Sequence, residues 1–453
     1  MSEVVAKREQ DYVGAGTTVA ATSAQPLARD KPVWSERMMA ALPSRVDKGW
    51  FSLMDKVTAI NTLRRGWERV RRNDGAPGVD RLSVERFEAH AETRLGRLQT
   101  ALLEGSYQPQ AVRRVEIPKS DGKVRGLGIP TVTDRVVQAA ILEVIEPIFE
   151  HIFEPRSYGF RPGRGCKDAL REVDQWLKLG YVHVVDADLK SYFDTIDHTR
   201  LRQELHRQVK DGSVLDLIDR FLRQKVVSEH AEWQSEEGTP QGAVLSPLLA
   251  NVYLHPLDVL MRERGVVMIR YADDFVVLCQ SAAQAQTELE VIRGWVAQAK
   301  LTLHPEKTRI ADLSVVDGYV DFLGYRFVCR EGGLKREIKP KKIQALKAVI
   351  KETTPRNSGQ STHALVTTLN RFLRGVFEYF QHVSPKPQPN RVNALAQLDA
   401  RVRFRLRRIL AKRQKCLLSG RSLGAHKRWK NEYFVKLGLF SMQTALINRH
   451  SHG

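Results

Sequence analysis

The chain has 453 residues and is 42% hydrophobic, enough for two or three domains with sizeable cores. Its formal charge of +20 favours a polyanionic partner, while Cys166, Cys279, Cys329 and Cys416 stand too far apart for a zinc module or a disulfide framework. No apolar run reaches the roughly 18 residues that a membrane helix needs, so a reducing cytoplasm is the expected home.

Residues 1–33 are rich in Ala, Thr, Ser and Gln without periodicity and are expected to form a poorly ordered leader. An α+β body is expected over residues 34–335. Val57–Val70 carries Val57, Ile60, Leu63, Trp67 and Val70 at helical spacing. Asp134–Phe153 opens on a capping-type Asp134 and keeps an apolar stripe through Val137, Ile141, Ile145 and Ile148, predicting a helix kinked at Pro147.

At Val184–His198 (VVDADLKSYFDTIDH) an apolar strand gives way to a helix. Asp186 and Asp188 fall on one face of that strand. Capping and surface ion pairs remain open for Asp186, Asp194 and Asp197. Further on, Val266–Cys279 (VVMIRYADDFVVLC) reads as a hairpin, its two β-branched runs flanking Tyr271-Ala-Asp-Asp274. Two adjacent carboxylates at such a tip repel one another and call for a cation, unless the turn simply faces water. Hard oxygen donors select Mg²⁺ or Mn²⁺, and paired magnesium ions serve phosphoryl or nucleotidyl transfer.

The positive charge is segregated. From Arg336 onward 25 Lys/Arg face 5 Asp/Glu, whereas the first 335 residues hold 47 of each. This tail is helical in pattern, with loops expected at Pro355–Gly359 and at Ser384–Pro389. Over Leu398–Lys415, the apolar stripe Leu398, Val402, Leu406 and Ile409 lies beside a basic one of Arg401, Arg405, Arg408, Lys412 and Lys415. The basic stripe is either a phosphate-facing or a solvated side.

YADD, the strand end DLKSYFD and the loop GTPQGAVLSPLLAN (Gly238–Asn251) are similar to the palm motifs of reverse transcriptases, in the same order. From about Trp34 onward the chain resembles bacterial group II intron reverse transcriptases. Further matches are Ile117–Gln138, Ser157–Leu170, Leu301–Ile310 and Phe322–Phe327. The segment Leu369–Phe380 resembles the family's thumb or maturase helix, with Val376 where Trp is usual; Lys430 stands where the terminal stretch usually has Pro.

The resemblance implies a right-hand polymerase: fingers and palm (an antiparallel sheet plus helices) over residues 34–335, an all-α thumb/maturase domain over 336–412, and a basic DNA-binding segment over 413–453. It implies metal ligands at Asp188, selected over Asp186, at the carbonyl of Leu189, and at Asp273 and Asp274. Lys119 and Arg125 would hold the triphosphate of the incoming dNTP, and Phe193 would exclude a 2′-hydroxyl. Gln241 would lie beside nucleotide and template, with Gly242 permitting close approach. Lys307 is a candidate for protonating pyrophosphate.

Arg374, Arg401, Arg405, Arg408, Lys412, Lys427 and Arg428 would grip nucleic acid. The implied partners are the parent group II intron RNA, an RNA template with its primer, and target DNA. The implied activity is DNA synthesis on RNA combined with assistance to splicing and intron mobility. No appended endonuclease with paired cysteines is expected. Two narrower readings share these motifs: a domesticated reverse transcriptase in phage defence or CRISPR spacer capture, and a splicing-only maturase.

Overall fold

The computed structural model describes residues 33–46, 48–118, 124–228, 231–384 and 393–451. All but Val33 of the expected leader lies outside them. The chain divides into two compact units, one of residues 20–173 and 185–310, the other of residues 174–184 and 311–453. Among the described residues no helix is long and apolar enough to cross a membrane.

The first unit is built round a helix pair, α1 (Ile60–Asn73) and α2 (Val132–Ile152). A Cβ on Gly66 would stand 2.7 Å from the Val136 carbonyl, so its bare backbone lets the helices close up. The expected helix from Val57 is broken. Val57 ends a short turn from Met54, the Thr58 hydroxyl donates back to the Met54 carbonyl, and α1 starts afresh at Ile60. α2 runs on through Pro147 and is buried on nearly every side, as a core helix must be when apolar all round.

Its cap is also not the expected one. The Thr131 hydroxyl accepts from the Asp134 amide. Asp134 is itself buried, accepting from the Tyr107 hydroxyl at 2.5 Å and the Gln110 amide at 3.1 Å. Burial raises its carboxyl pKa to about 6.

One sheet belongs wholly to this unit and a second lies mostly within it. In the first, β1 (Val112–Pro118) pairs antiparallel with β2 (Val124–Ile129) and parallel with β4 (Lys225–Val227), and β5 (Glu232–Gln234) forms the exposed edge. The second has the order β6-β7-β3-β8, formed by Val267–Tyr271, Asp274–Cys279, His183–Asp188 and Arg309–Asp312. β6 and β7 make the expected antiparallel hairpin, with Tyr271 opposite Asp274. Both strands are buried on both faces, which explains their unbroken apolar runs; α6 (Ser246–Glu263) packs on β6 and α7 (Ala282–Gln298) on β7.

In the second unit β9 (Tyr319–Phe322), β10 (Tyr325–Arg330) and β11 (Gly333–Ile338) form an antiparallel meander. The expected boundary between Lys335 and Arg336 falls inside β11, where Arg336 pairs with Phe327. Helices α8 (Pro340–Thr353), α9 (Thr362–Phe380) and α10 (Ala394–Arg413) follow. The apolar stripe of α10 is buried at Leu398, Val402, Leu406 and Ile409, and Val376 takes its place in the core of α9.

The terminal stretch is tied into this unit. Asp399 on α10 accepts from the Ser441 hydroxyl and from the Met442 and Gln443 amides, capping the last helix, α11 (Met442–Ser451). Asn370 on α9 donates to the Gly438 carbonyl and accepts from the Phe440 amide.

Candidate active site

β3 ends at Asp188 and its sheet neighbour β7 begins at Asp274, so strand end and hairpin tip belong to adjacent strands of one sheet. The short turn that follows β3 carries Tyr192, whose buried hydroxyl donates to the Ala250 carbonyl at 2.6 Å. Burial pushes the Tyr192 pKa well up, and the negative charge of Asp273 adds to that rise.

The tip itself is held by side chains that sequence reasoning missed. Ala272 adopts φ +58°, a left-handed conformation that costs a non-glycine residue energy. Arg270, fully buried in β6, donates to the Ala272 carbonyl at 2.9 Å and to the Asn251 side-chain oxygen at 2.8 Å, and forms a two-pronged ion pair with the buried Asp258. Burial opposes the Arg270 charge, but the Asp258 carboxylate outweighs it and raises the guanidinium pKa.

Asn251 in turn donates to the Gly159 carbonyl at 2.8 Å. Gly159 presses so closely on the turn that a Cβ there would stand 2.2 Å from the Ala272 nitrogen. A signal for this node was present: a lone arginine inside an apolar strand must find a buried acid.

The carboxylates are distinguished by their partners. Asp188 receives the ammonium of Lys307, a largely exposed side chain reaching back from the loop before β8. Asp186 faces Arg309 at 3.6 Å. Asp197 caps the helix His198–Gln208, accepting from the Arg200 amide at 2.8 Å, and pairs with Lys300 at 2.6 Å. Asp194 accepts from the Gln241 amide group at 3.4 and 3.5 Å. Among the described residues no cluster of three His, Cys, Asp or Glu stands in metal-binding proximity. The donor chemistry of Asp188, Asp273 and Asp274 nonetheless suits a hard divalent ion, and the lysine drawn to Asp188 marks a place that demands positive charge.

The nucleotide-side residues lie on a laced wall. Phe193 is half-buried, its ring edge-on to Phe160 at 6.2 Å, and its carbonyl accepts from the Thr239 amide at 2.7 Å. The Gln241 carbonyl accepts from the Gly128 amide at 2.8 Å, and Gly242, at φ +113°, would drive any Cβ to 2.7 Å from the Gly128 carbonyl. The Pro-Gln-Gly turn is thereby bound to β2. Arg125 sits on β2 opposite Ile117, while its side chain and all of Lys119 lie outside the described residues.

In the second unit the basic stripe of α10 is not one surface. Arg405 is a correction: it is buried, and its guanidinium donates to the Thr354 hydroxyl and carbonyl and to the Lys351 carbonyl, closing the C-terminal end of α8. Arg401 and Arg408 are half-buried, while Lys412, Lys427 and Arg428 are exposed. Arg374 lies over the Phe440 ring at 4.7 Å.

Residues 117–327 match the family model described as reverse transcriptase (RNA-dependent DNA polymerase), and residues 343–431 match the group II intron maturase-specific domain. Protein YkfC of Escherichia coli strain K12 is 35% identical over 291 residues, 56% of this chain and 76% of that protein. The group II intron-encoded protein LtrA of Lactococcus lactis subsp. cremoris is 41% identical over 169 residues, 37% of this chain but 28% of LtrA. A partial Cas6-RT-Cas1–Cas2 complex aligns with a TM-score of 0.35 at 22% identity, covering 62% of this chain and 45% of that one, too distant a likeness to carry weight. With the polymerase match spanning both carboxylate sources and the maturase match following it, the chain belongs to the group II intron family of reverse transcriptases and maturases.

Proposed function

We propose that the protein is an RNA-directed DNA polymerase that also binds its parent group II intron RNA, assisting its splicing and its insertion into target DNA. The observation that carries this reading is the adjacency in one sheet of the strand ending at Asp188 and the strand beginning at Asp274, with Asp273 in the strained turn between β6 and β7. Reverse transcriptases work with divalent metal ions. Here Asp188, Asp273, Asp274 and the Leu189 carbonyl would hold two magnesium ions, with manganese as a substitute. Bound there, the ions would lower the pKa of the primer 3′-hydroxyl and stabilise the departing pyrophosphate.

The remaining roles fall to side chains of this chain. Lys119 and Arg125 bind the triphosphate, as cations on a polyanion. Phe193 closes the space beneath the sugar against a 2′-hydroxyl, and Gln241 fixes nucleotide against template. Lys307 leaves Asp188 to give its proton to pyrophosphate. Arg374, Arg401, Arg408, Lys412, Lys427 and Arg428 hold nucleic-acid backbone, whereas Arg405 holds α8.

The test is extension of a primed RNA template with dNTPs and Mg²⁺, run beside splicing of the RNA flanking the coding sequence. Asp273→Ala should lower extension by about 10³-fold or more while splicing and RNA affinity persist. Retained extension by this variant, folded as the wild type, would remove the polymerase assignment.

A further inference from the structure

Three guanidinium groups converge on one ring in the second unit. Arg401 and Arg408 flank Phe404 along α10, 5.6 and 5.8 Å from its centroid. Arg421 comes to 5.1 Å from outside the helix. Its return is built into the chain. Lys415 takes φ +50° at the end of α10, the Cys416 amide donates to the Ala411 carbonyl at 2.8 Å, and the loop then folds back. Gly420 is pressed against the helix, where a Cβ would meet Arg408 Cγ at 2.7 Å and the Phe404 carbonyl at 2.8 Å. Only glycine lets Arg421 come that near.

What the three arginines lack is equally specific. Arg326 meets Asp321 and Arg202 meets Asp216, both at 2.8 Å. Among the described residues Arg401, Arg408 and Arg421 have no such acid, and the buried Arg401 Nε has no hydrogen-bond partner at all. The strain registers next door. The Arg405 guanidinium is held below its usual pKa, first by burial and then by the charges of Arg408 and Arg401. Like charges gathered round one ring, with an unanswered donor among them, form a seat for an oxyanion.

Resting on the polymerase and maturase reading, we propose that Arg401, Arg408 and Arg421, arrayed round Phe404, form a cradle for a backbone phosphodiester of bound nucleic acid. Phosphate suits it because planar guanidinium groups present paired donors to phosphate oxygens, and the phenyl ring orients them while keeping water from one side. Arg421, exposed on its loop, is the member whose loss disturbs the fold least.

The experiment uses full-length protein, Arg421→Gln, and Lys436→Gln as an exposed control of equal charge change in the same unit. Affinity is measured across a salt series for two probes, the folded transcript flanking the coding sequence and a short primed RNA template. Arg421→Gln should weaken binding about tenfold and reduce the salt slope by about 0.9, with Lys436→Gln near wild type. Loss confined to the transcript names intron RNA as the source of the phosphate, and loss confined to the primed template names that duplex. Equal small losses for the two variants, or no loss with either probe, overturn the cradle while leaving the larger reading standing. A wild-type protein that neither extends primers nor binds the transcript would instead remove the reading on which the cradle rests.

Discussion

Arg270 in the first unit and the pair Arg405 and Arg407 in the second are buried in opposite ways. In the first, Arg270 is closed off by Asp258, charge against charge, and the first 335 residues of the chain hold as many acids as bases. In the second, Arg405 and Arg407 are buried against oxygens that carry no full charge: Arg405 on Thr354 and Lys351, Arg407 on the Trp429 carbonyl at 3.0 Å and the Asn431 side chain at 3.0 Å. In the first unit the Arg270 node thus settles its charge internally and keeps its field local, as a centre built on acids requires. The second leaves its charge outstanding, which suits a surface that must attract a polyanion.

Removing one partner from each kind of site separates them. Asp258→Ala strands a fully buried guanidinium and should cost about 3–5 kcal/mol in urea unfolding. Pairing it with Arg270→Met should recover most of that stability but not primer extension, since the Ala272 carbonyl still lacks its donor. Recovery of both would mean that the node serves folding alone.

A second break lies at Asp134, whose carboxyl is harder to ionise in the folded chain than in the unfolded one. Its contribution favours folding at low pH and is lost as pH climbs from about 4 to about 6, a change of about 3 kcal/mol. Asp134→Asn should remove this part of the stability profile; an unaltered slope would contradict the burial argument.

Gly159→Ala forces a methyl group into the hairpin turn, and kcat for primer extension should fall by about 10²-fold with RNA affinity unchanged. The smallest effect is expected from Arg405→Met. Stability should drop by about 1–2 kcal/mol because the Thr354 carbonyl loses its donor, while the salt slope of RNA binding stays as it was. A slope that falls would return Arg405 to the binding face.

The sequence was most legible where one short segment determines its own shape. The β6–β7 hairpin and the buried stripe of α10 follow from local periodicity, and both stand where expected. It was least legible where distant segments meet. Periodicity puts Arg405 beside Arg401 and Arg408, but nothing in that stretch says that the end of α8 abuts it. Asp134 has the side chain of a cap, yet Thr131, three residues earlier, takes that place because Tyr107 and Gln110 claim the carboxylate. The gathering of Gly159, Asn251, Asp258 and Arg270 depends on a bond between residues 92 positions apart, beyond any local pattern.

That gathering bears on how such an enzyme can be recut. The stretch before the helix Cys166–Lys178 is scaffolding for the hairpin tip: Gly159 lies against Ala272, and the Tyr158 amide donates to the Arg270 carbonyl at 2.8 Å. Inserted tags, fusions or shortened loops there would be transmitted straight to the hairpin. The outlying strand β5, exposed along its whole length, offers a safer point of attachment.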